Sequence, residues 1–234
     1  MNQINMRKKS PYEYRMVIFD LDGTLYYQRL FRLRIARYLA GYILMHPFHI
    51  KDFLIIKKYR EVREKWEDCE KECSKKSQYK NLGLDDRQYQ YVAEHMKTER
   101  SRVRKVIHTF MLETPLRFLP AYRDKLLSDM IDELHRRKRT VVIYSDYPVE
   151  NKLKALGIKA DACYTSSDER IGCMKPDPKG IAVILADTGC PAEDALMVGD
   201  RYEKDGLAAK RNGIDYIIVG KSRKERANML SGMS

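Results

Sequence analysis

The sequence has no apolar run long enough to cross a bilayer. Its longest apolar stretch, residues 39–45, falls far short of the roughly 20 residues that a membrane-spanning helix requires. The apolar run after the basic N-terminus, residues 16–19, is also too short for the core of a secretory signal peptide. We therefore expect a soluble protein that has no membrane partner.

Cysteines are few, and they do not form a recognisable framework. The five cysteines are odd in number and scattered, which favours reduced thiols in a cytoplasmic protein over a set of disulfides. Cys69 and Cys73 lie four residues apart, but no other Cys or His pair is close to them in sequence, so we expect no zinc site there. Internal repeats and low-complexity tracts are absent as well.

Acidic residues are scarce relative to basic ones in one segment. The net charge is +12, and residues 26–117 hold 21 Lys/Arg against 12 Asp/Glu, which is 21 − 12 = +9 of that total. Such an excess can attract an anionic substrate, or it can reflect solvated helix faces. The sequence shows no base-stacking aromatic motif and no glycine-rich phosphate loop, so we do not expect a nucleic-acid partner.

Short apolar runs alternate with helical patterns outside that segment. Buried strands are predicted at residues 15–20, 140–144, 195–198 and 216–219, and a weaker one at 162–165. The alternation predicts an α/β fold with a doubly wound, mainly parallel, Rossmann-like sheet. Ligands in such folds bind at the carboxyl ends of the strands.

The basic segment shows helical spacing and no convincing strand. One predicted helical face carries Phe31, Ile35, Tyr38, Tyr42 and Met45, and a second carries Tyr59, Val62, Trp66, Cys69 and Cys73. We predict a core domain formed by residues 1–25 and 118–234, with an all-helical domain of three or four helices inserted at 26–117. The polar tail, residues 221–234, is predicted to be frayed.

Two carboxylates follow the first predicted strand. Asp20 and Asp22 stand two residues apart, and Gly23 supplies the turn after them. One carboxylate can attack phosphorus, and a second beside it can protonate the leaving oxygen and then activate water. Alternatively, the two acids only end the strand and cap a turn.

Three later segments of the predicted core also carry polar residues that suit phosphate chemistry. Ser145 closes the second long strand and can donate a hydrogen bond to a phosphoryl oxygen. Lys175 precedes Pro-Asp-Pro and can neutralise charge in a phosphoryl transfer, although a solvated lysine is the alternative. Asp200 follows a Gly at a strand end, and Asp205 lies five residues beyond it. Carboxylates of this kind are the hard ligands that Mg²⁺ prefers.

In this order, the four motifs resemble those of the haloacid dehalogenase-like (HAD) superfamily. The first, Asp-x-Asp-x-Thr, is matched by Asp20, Asp22 and Thr24, and the others by Ser145, by Lys175, and by Asp200 with Asp205. The resemblance covers residues 15–25 and 118–220, and the helical insertion resembles the cap domains of that superfamily in place and helicity only.

The resemblance implies a role for each of these residues. Asp20 is the expected nucleophile and Asp22 the general acid and base, while Ser145 and Lys175 hold the phosphoryl group. Mg²⁺ is the expected cofactor, and its ligands are Asp20, the backbone carbonyl of Asp22, and Asp200. Asp205 orients this shell or binds a metal-bound water.

Two further residues are predicted to contact substrate. Asp146 replaces the Asn that is common in relatives, so it either points away from the phosphate or meets a cationic group. Arg32, near the start of the insertion, is a candidate contact for the anionic substrate.

The presence of an acid at Asp22 separates the sequence from the dehalogenases, which lack one. We therefore predict a Mg²⁺-dependent phosphatase, a phosphoric monoester hydrolase, that acts on a small phosphorylated metabolite through an aspartyl-phosphate. A phosphomutase acting on sugar phosphates and an anion- or nucleic-acid-binding module that uses the basic cap are the alternatives. The sequence identifies neither the substrate nor the oligomeric state.

Overall fold

The computed structural model describes residues 5–6 and 9–231, and the chain divides into two compact units. The first unit comprises Met1–Phe31 and Leu119–Ser234, and the second comprises Arg32–Phe118. The two junctions lie near the predicted ones, at residues 25 and 118. The role of the inserted unit as a cap stays a prediction.

A sheet of six strands, counted over the described residues, lies in the first unit. Its strands are β1 (Asn5–Met6), β2 (Met16–Phe19), β3 (Thr140–Ser145), β4 (Ala162–Thr165), β5 (Ala195–Gly199) and β6 (Asp215–Ile218). Their order is β1-β6-β5-β2-β3-β4, and every neighbouring pair is parallel except β1 with β6, which is antiparallel.

The five parallel strands confirm the predicted α/β class. All four side chains of β2 are buried, as are those of β5 and β6, because a parallel sheet is covered on both faces. In the core, Ile18 of β2 and Val142 of β3 belong to one apolar cluster with Ile181 and Ile184. Strand β1 was not predicted, since two residues carry no periodic signal.

The second unit is helical throughout its regular structure. Its helices are α1 (Gln28–Met45), which begins before the unit boundary, α2 (Ile50–Glu64), α3 (Trp66–Cys73), α4 (Leu84–Met96) and α5 (Arg100–Ile107). The predicted face of α1 is only partly buried, because Phe31 and Ile35 are enclosed whereas Met45 is 73% exposed. The pattern from Tyr59 to Cys73 predicted one helix, but Lys65 leaves the helical conformation (φ −109°, ψ 23°) and separates α2 from α3.

Five further α-helices in the described part of the chain belong to the first unit. They are α6 (Lys125–Arg136), α7 (Glu150–Leu156), α8 (Lys179–Thr188), α9 (Leu207–Arg211) and α10 (Arg223–Ser231). Helix α10 contradicts the prediction of a frayed tail, because Arg226 on it is only 2% exposed. The last three predicted tail residues lie outside the described part. Among the described residues, no helix has both the length and the apolar character needed to cross a membrane.

Candidate active site

The predicted site residues of the first unit lie at one edge of the sheet. Asp20 follows β2, Ser145 ends β3, and Asp200 follows β5. Strand β2 pairs in parallel with both β3 and β5, and Phe19 is level with Ile143 on one side and with Val198 on the other. The parallel register therefore brings together residues that are far apart in sequence.

Asp20 is buried and is held by two neighbouring groups. The ammonium of Lys175 lies 2.7 Å from Asp20 Oδ1, and the hydroxyl of Thr24 donates to Asp20 Oδ2 at 3.0 Å. The same ammonium lies 2.6 Å from Asp205 Oδ1, and the other oxygen of Asp205 accepts the backbone N–H of Arg201 at 3.1 Å. Lys175 is thus fixed between two carboxylates.

A third carboxylate, that of Asp200, lies beside these two. Ligand oxygens of Asp20, Asp200 and Asp205 all lie within 4.8 Å of one another. The three carboxylates and the ammonium of Lys175 together have a formal charge of −2, from three negative charges and one positive charge. Burial raises the pKa of Asp20 well above its ordinary value, and although Lys175 opposes this rise, the other two carboxylates add to it. Burial and Asp205 likewise raise the pKa of Asp200 to about 6. The cluster therefore favours an added cation.

The local backbone also fits a cation site. Gly23 has a φ of +105°, and a Cβ atom there would lie 2.4 Å from Asp200 Oδ2. A side chain at this position would displace the Asp200 carboxylate, and the backbone conformation favours glycine as well. The close approach and the all-oxygen donor set suit a hard divalent cation such as magnesium, which could be held by Asp20 and Asp200.

Asp22 has an ammonium partner of its own. Lys152 Nζ lies 2.6 Å and 2.7 Å from the two oxygens of Asp22, while the hydroxyls of Tyr26 and Ser145 also donate to this carboxylate, Ser145 at 3.2 Å. Burial acts to raise the pKa of Asp22, but the charge and hydrogen bonds of Lys152, with those of the two hydroxyls, leave it below its ordinary value. Asp22 is therefore the more acidic of the two motif carboxylates.

The two predicted substrate contacts have different surroundings. Asp146 is buried and accepts hydrogen bonds from the hydroxyl of Ser166 at 2.6 Å and the backbone N–H of Lys175 at 3.1 Å, and it lies 3.4 Å from the ammonium of Lys204. These contacts favour a role in placing Lys175. Arg32 lies on α1 with an exposed side chain. Contact of either residue with substrate stays a prediction.

Arg226 of α10 holds the loop that carries the motif acids. Its Nη1 donates to the carbonyl of Thr24 at 2.6 Å and to Asp124 Oδ2 at 2.7 Å, and its Nη2 donates to the carbonyl of Gly23. Neither Arg226 nor Lys152 was identified from the sequence. Each is a single basic residue on a helix. Its position in the sequence does not distinguish it from a solvent-exposed lysine or arginine.

Comparisons with known proteins agree with the fold. The haloacid dehalogenase-like hydrolase family matches residues 14–213 of the chain. Haloacid dehalogenase-like hydrolase domain-containing protein 3 of Danio rerio is 27% identical over 92 residues, which are 39% of this chain and 38% of that protein's length.

Solved structures extend the similarity to most of the chain. The 2-haloacid dehalogenase of Pseudomonas syringae pv. Tomato DC3000 has a TM-score of 0.59 and 17% identity, and the alignment covers 88% of this chain and 86% of that one. The HAD hydrolase YfnB of Bacillus subtilis, solved with bound magnesium, has a TM-score of 0.59 and 15% identity, with 94% and 99% covered. At these identities the similarity concerns the fold alone.

Proposed function

The chain belongs to the haloacid dehalogenase-like hydrolases, and on that premise we propose that it is a magnesium-dependent phosphatase of a small phosphorylated metabolite. The main support is the pair of acids after β2, which contact two different ammonium groups. Lys175 lies beside Asp20, and Lys152 lies beside Asp22. A nucleophile and a separate proton-transfer group are what the hydrolysis of a phosphate monoester requires.

The first half of the reaction transfers the phosphoryl group to Asp20. A carboxylate oxygen of Asp20 attacks phosphorus, the bond from phosphorus to the leaving oxygen breaks, and Asp22 supplies a proton to that oxygen. Asp22 must bind a proton before this step, because the ion pair with Lys152 favours its ionised form. Lys175 stays beside the attacking carboxylate and offsets the charge of the phosphoryl group. Ser145, whose hydroxyl donates to Asp22 in this structure, can donate instead to a phosphoryl oxygen.

The second half returns the enzyme to its starting state. Asp22 accepts a proton from a water molecule, the oxygen of that water attacks phosphorus, and the bond between phosphorus and Asp20 breaks to release inorganic phosphate. Asp20 and Asp200 would hold magnesium, which would supply positive charge that offsets the charge of the carboxylates and the phosphoryl group.

The same fold carries other reactions, and Asp22 separates them. Among the similar structures is a 2-haloacid dehalogenase. The family resemblance implies that enzymes of that type lack an acid at the position of Asp22. Release of chloride from 2-chloropropionate without any phosphatase activity would overturn the proposal. A phosphomutase would return the phosphoryl group to the sugar, so product analysis with sugar phosphates separates it from a phosphatase.

A phosphatase assay with matched variants tests the proposal. The purified chain is assayed with p-nitrophenyl phosphate and a panel of phosphorylated metabolites, with and without Mg²⁺. We expect Asp20→Asn to lower kcat on the order of 10⁴-fold or more, because the nucleophile is lost. Asp129→Asn removes an exposed carboxylate of α6 that pairs with Lys125, so this control should keep full activity. An undiminished rate in Asp20→Asn refutes the assignment.

A further inference from the structure

Lys152 occupies an unusual position for a lysine that matches none of the four motifs. Its side chain is 12% exposed, and its ammonium contacts both oxygens of Asp22. The ring of Tyr147 lies beneath the ammonium, with the centroid 5.1 Å from Nζ. Lysine seldom enters the interior without a partner, because its charge loses water there. The ion pair with Asp22 is what compensates this burial.

The chain leads directly from Ser145 to Lys152. The hydroxyl of Ser145 accepts the backbone N–H of Tyr147 at 3.1 Å, and this bond fixes the turn between β3 and α7. Helix α7 then begins at Glu150, and Lys152 projects from its first turn to Asp22. The segment therefore delivers a hydroxyl and an ammonium to the same carboxylate.

Stability alone gives a poor account of this ion pair. Buried ion pairs are often no more stabilising than apolar side chains of similar volume, because both charges must be desolvated. Here the pair instead fixes the direction of one carboxylate, since contact with both oxygens leaves Asp22 little freedom to rotate. The hydroxyl of Tyr26 adds a third fixed donor to Asp22.

We propose that Lys152 is a positioning residue, which holds the carboxylate of Asp22 in line with the leaving oxygen of the substrate. The inference rests on the proposed function, in which Asp22 transfers the proton to that oxygen. If Lys152 acts through Asp22, its loss matters most when the leaving oxygen depends on that proton. An acidic leaving group, which departs readily as an anion, depends on it least.

A pair of aryl phosphates of similar size measures this dependence. Phenol is a poorer leaving group than p-nitrophenol, so hydrolysis of phenyl phosphate depends more on proton transfer than hydrolysis of p-nitrophenyl phosphate. For Lys152→Met we expect kcat to fall for both esters, with a loss on the order of 10-fold greater for phenyl phosphate. Lys152→Arg keeps a charged donor that can reach both oxygens, so it should restore part of the lost activity.

Controls separate positioning from folding. Lys154→Met removes an exposed lysine from the same helix and should leave the ratio of the two kcat values unchanged. Lys152→Gln, which keeps a donor without the charge, carries the same comparison if the methionine variant does not fold. Thermal denaturation of each variant identifies the folded ones.

The possible outcomes are distinct. If the wild-type chain hydrolyses both esters and the Lys152 variants lose activity equally on both, or lose none, the inference is wrong and the proposed function stands. If the wild-type chain, folded and supplied with Mg²⁺, hydrolyses neither ester and none of the phosphorylated metabolites of the panel, the proposed function fails, and the inference fails with it.

Discussion

Replacing Arg226 with methionine removes the guanidinium that joins α10 to the loop after β2. Arg226 is 2% exposed, and its partner Asp124 is fully buried. Asp124 also accepts the backbone N–H of Leu127 at 3.0 Å, which caps the start of α6. The variant leaves this buried carboxylate without its counter-charge and leaves the carbonyls of Gly23 and Thr24 without their donor.

The size of the effect follows from these contacts. Removing one partner of a buried ion pair costs about 3–5 kcal/mol, because the remaining charge stays in the interior. For a chain of this size, a loss of that order lowers the melting temperature by about 6–20 °C. Because Arg226 also holds the loop of Asp20 and Asp22, kcat should fall even at temperatures where the variant is folded.

Urea denaturation and steady-state kinetics measure both effects. Lys224→Met is the matched control, since Lys224 is an exposed basic residue on the same helix, and it should change the free energy of unfolding by less than about 0.5 kcal/mol. Arg226→Lys keeps the positive charge but lacks the planar guanidinium with its several donors. The stability of this variant should therefore fall between those of the wild type and Arg226→Met. A loss below about 1 kcal/mol in Arg226→Met, with unchanged kcat, would refute the proposed contact of α10 with the loop.

Substitutions at two other positions test the surroundings of the acids. Gly23→Ala places a Cβ atom against the Asp200 carboxylate, so we expect the rise in melting temperature on adding Mg²⁺ to disappear, and an unchanged shift would contradict the proposed cation site. Asp146→Asn keeps an acceptor for the backbone N–H of Lys175, whereas Asp146→Ala leaves that N–H without one. The alanine variant should therefore be about 1–3 kcal/mol less stable than the asparagine variant in urea denaturation, and equal stabilities would contradict this role for Asp146.

The sequence predicted the sheet and the convergence of the motif residues because both follow from short-range patterns. Each parallel strand is a compact apolar run, and parallel register then places Asp20, Ser145 and Asp200 at one edge without any knowledge of the helices. The predicted strand of residues 195–198 and the observed Ala195–Gly199 differ by one residue. Because such strands are buried on both faces, nearly all of their side chains are apolar, and this makes them recognisable in the sequence.

The contacts made from helices could not be predicted in the same way. Whether Lys152 reaches Asp22 depends on the rotation and the length of α7 after the turn. The spacing of apolar residues does not define this rotation or this length precisely enough to place one side chain. Arg226 lies in a polar, basic tail whose composition favours disorder. Its burial is accounted for by acceptors that are remote in sequence, namely Asp124, 102 residues away, and the carbonyls of Gly23 and Thr24. The break at Lys65 is likewise invisible in the apolar pattern, which continues across it.

The most direct test of the central claim is to identify the residue that carries the phosphoryl group during turnover. Enzyme turning over p-nitrophenyl phosphate with Mg²⁺ is quenched in acid and treated with borohydride, which reduces an aspartyl-phosphate to homoserine, and the peptides are then analysed by mass spectrometry. We expect homoserine at position 20 in the wild-type chain and at no position in Asp20→Asn. Phosphate release without modification of Asp20, or modification of another residue, would contradict the account.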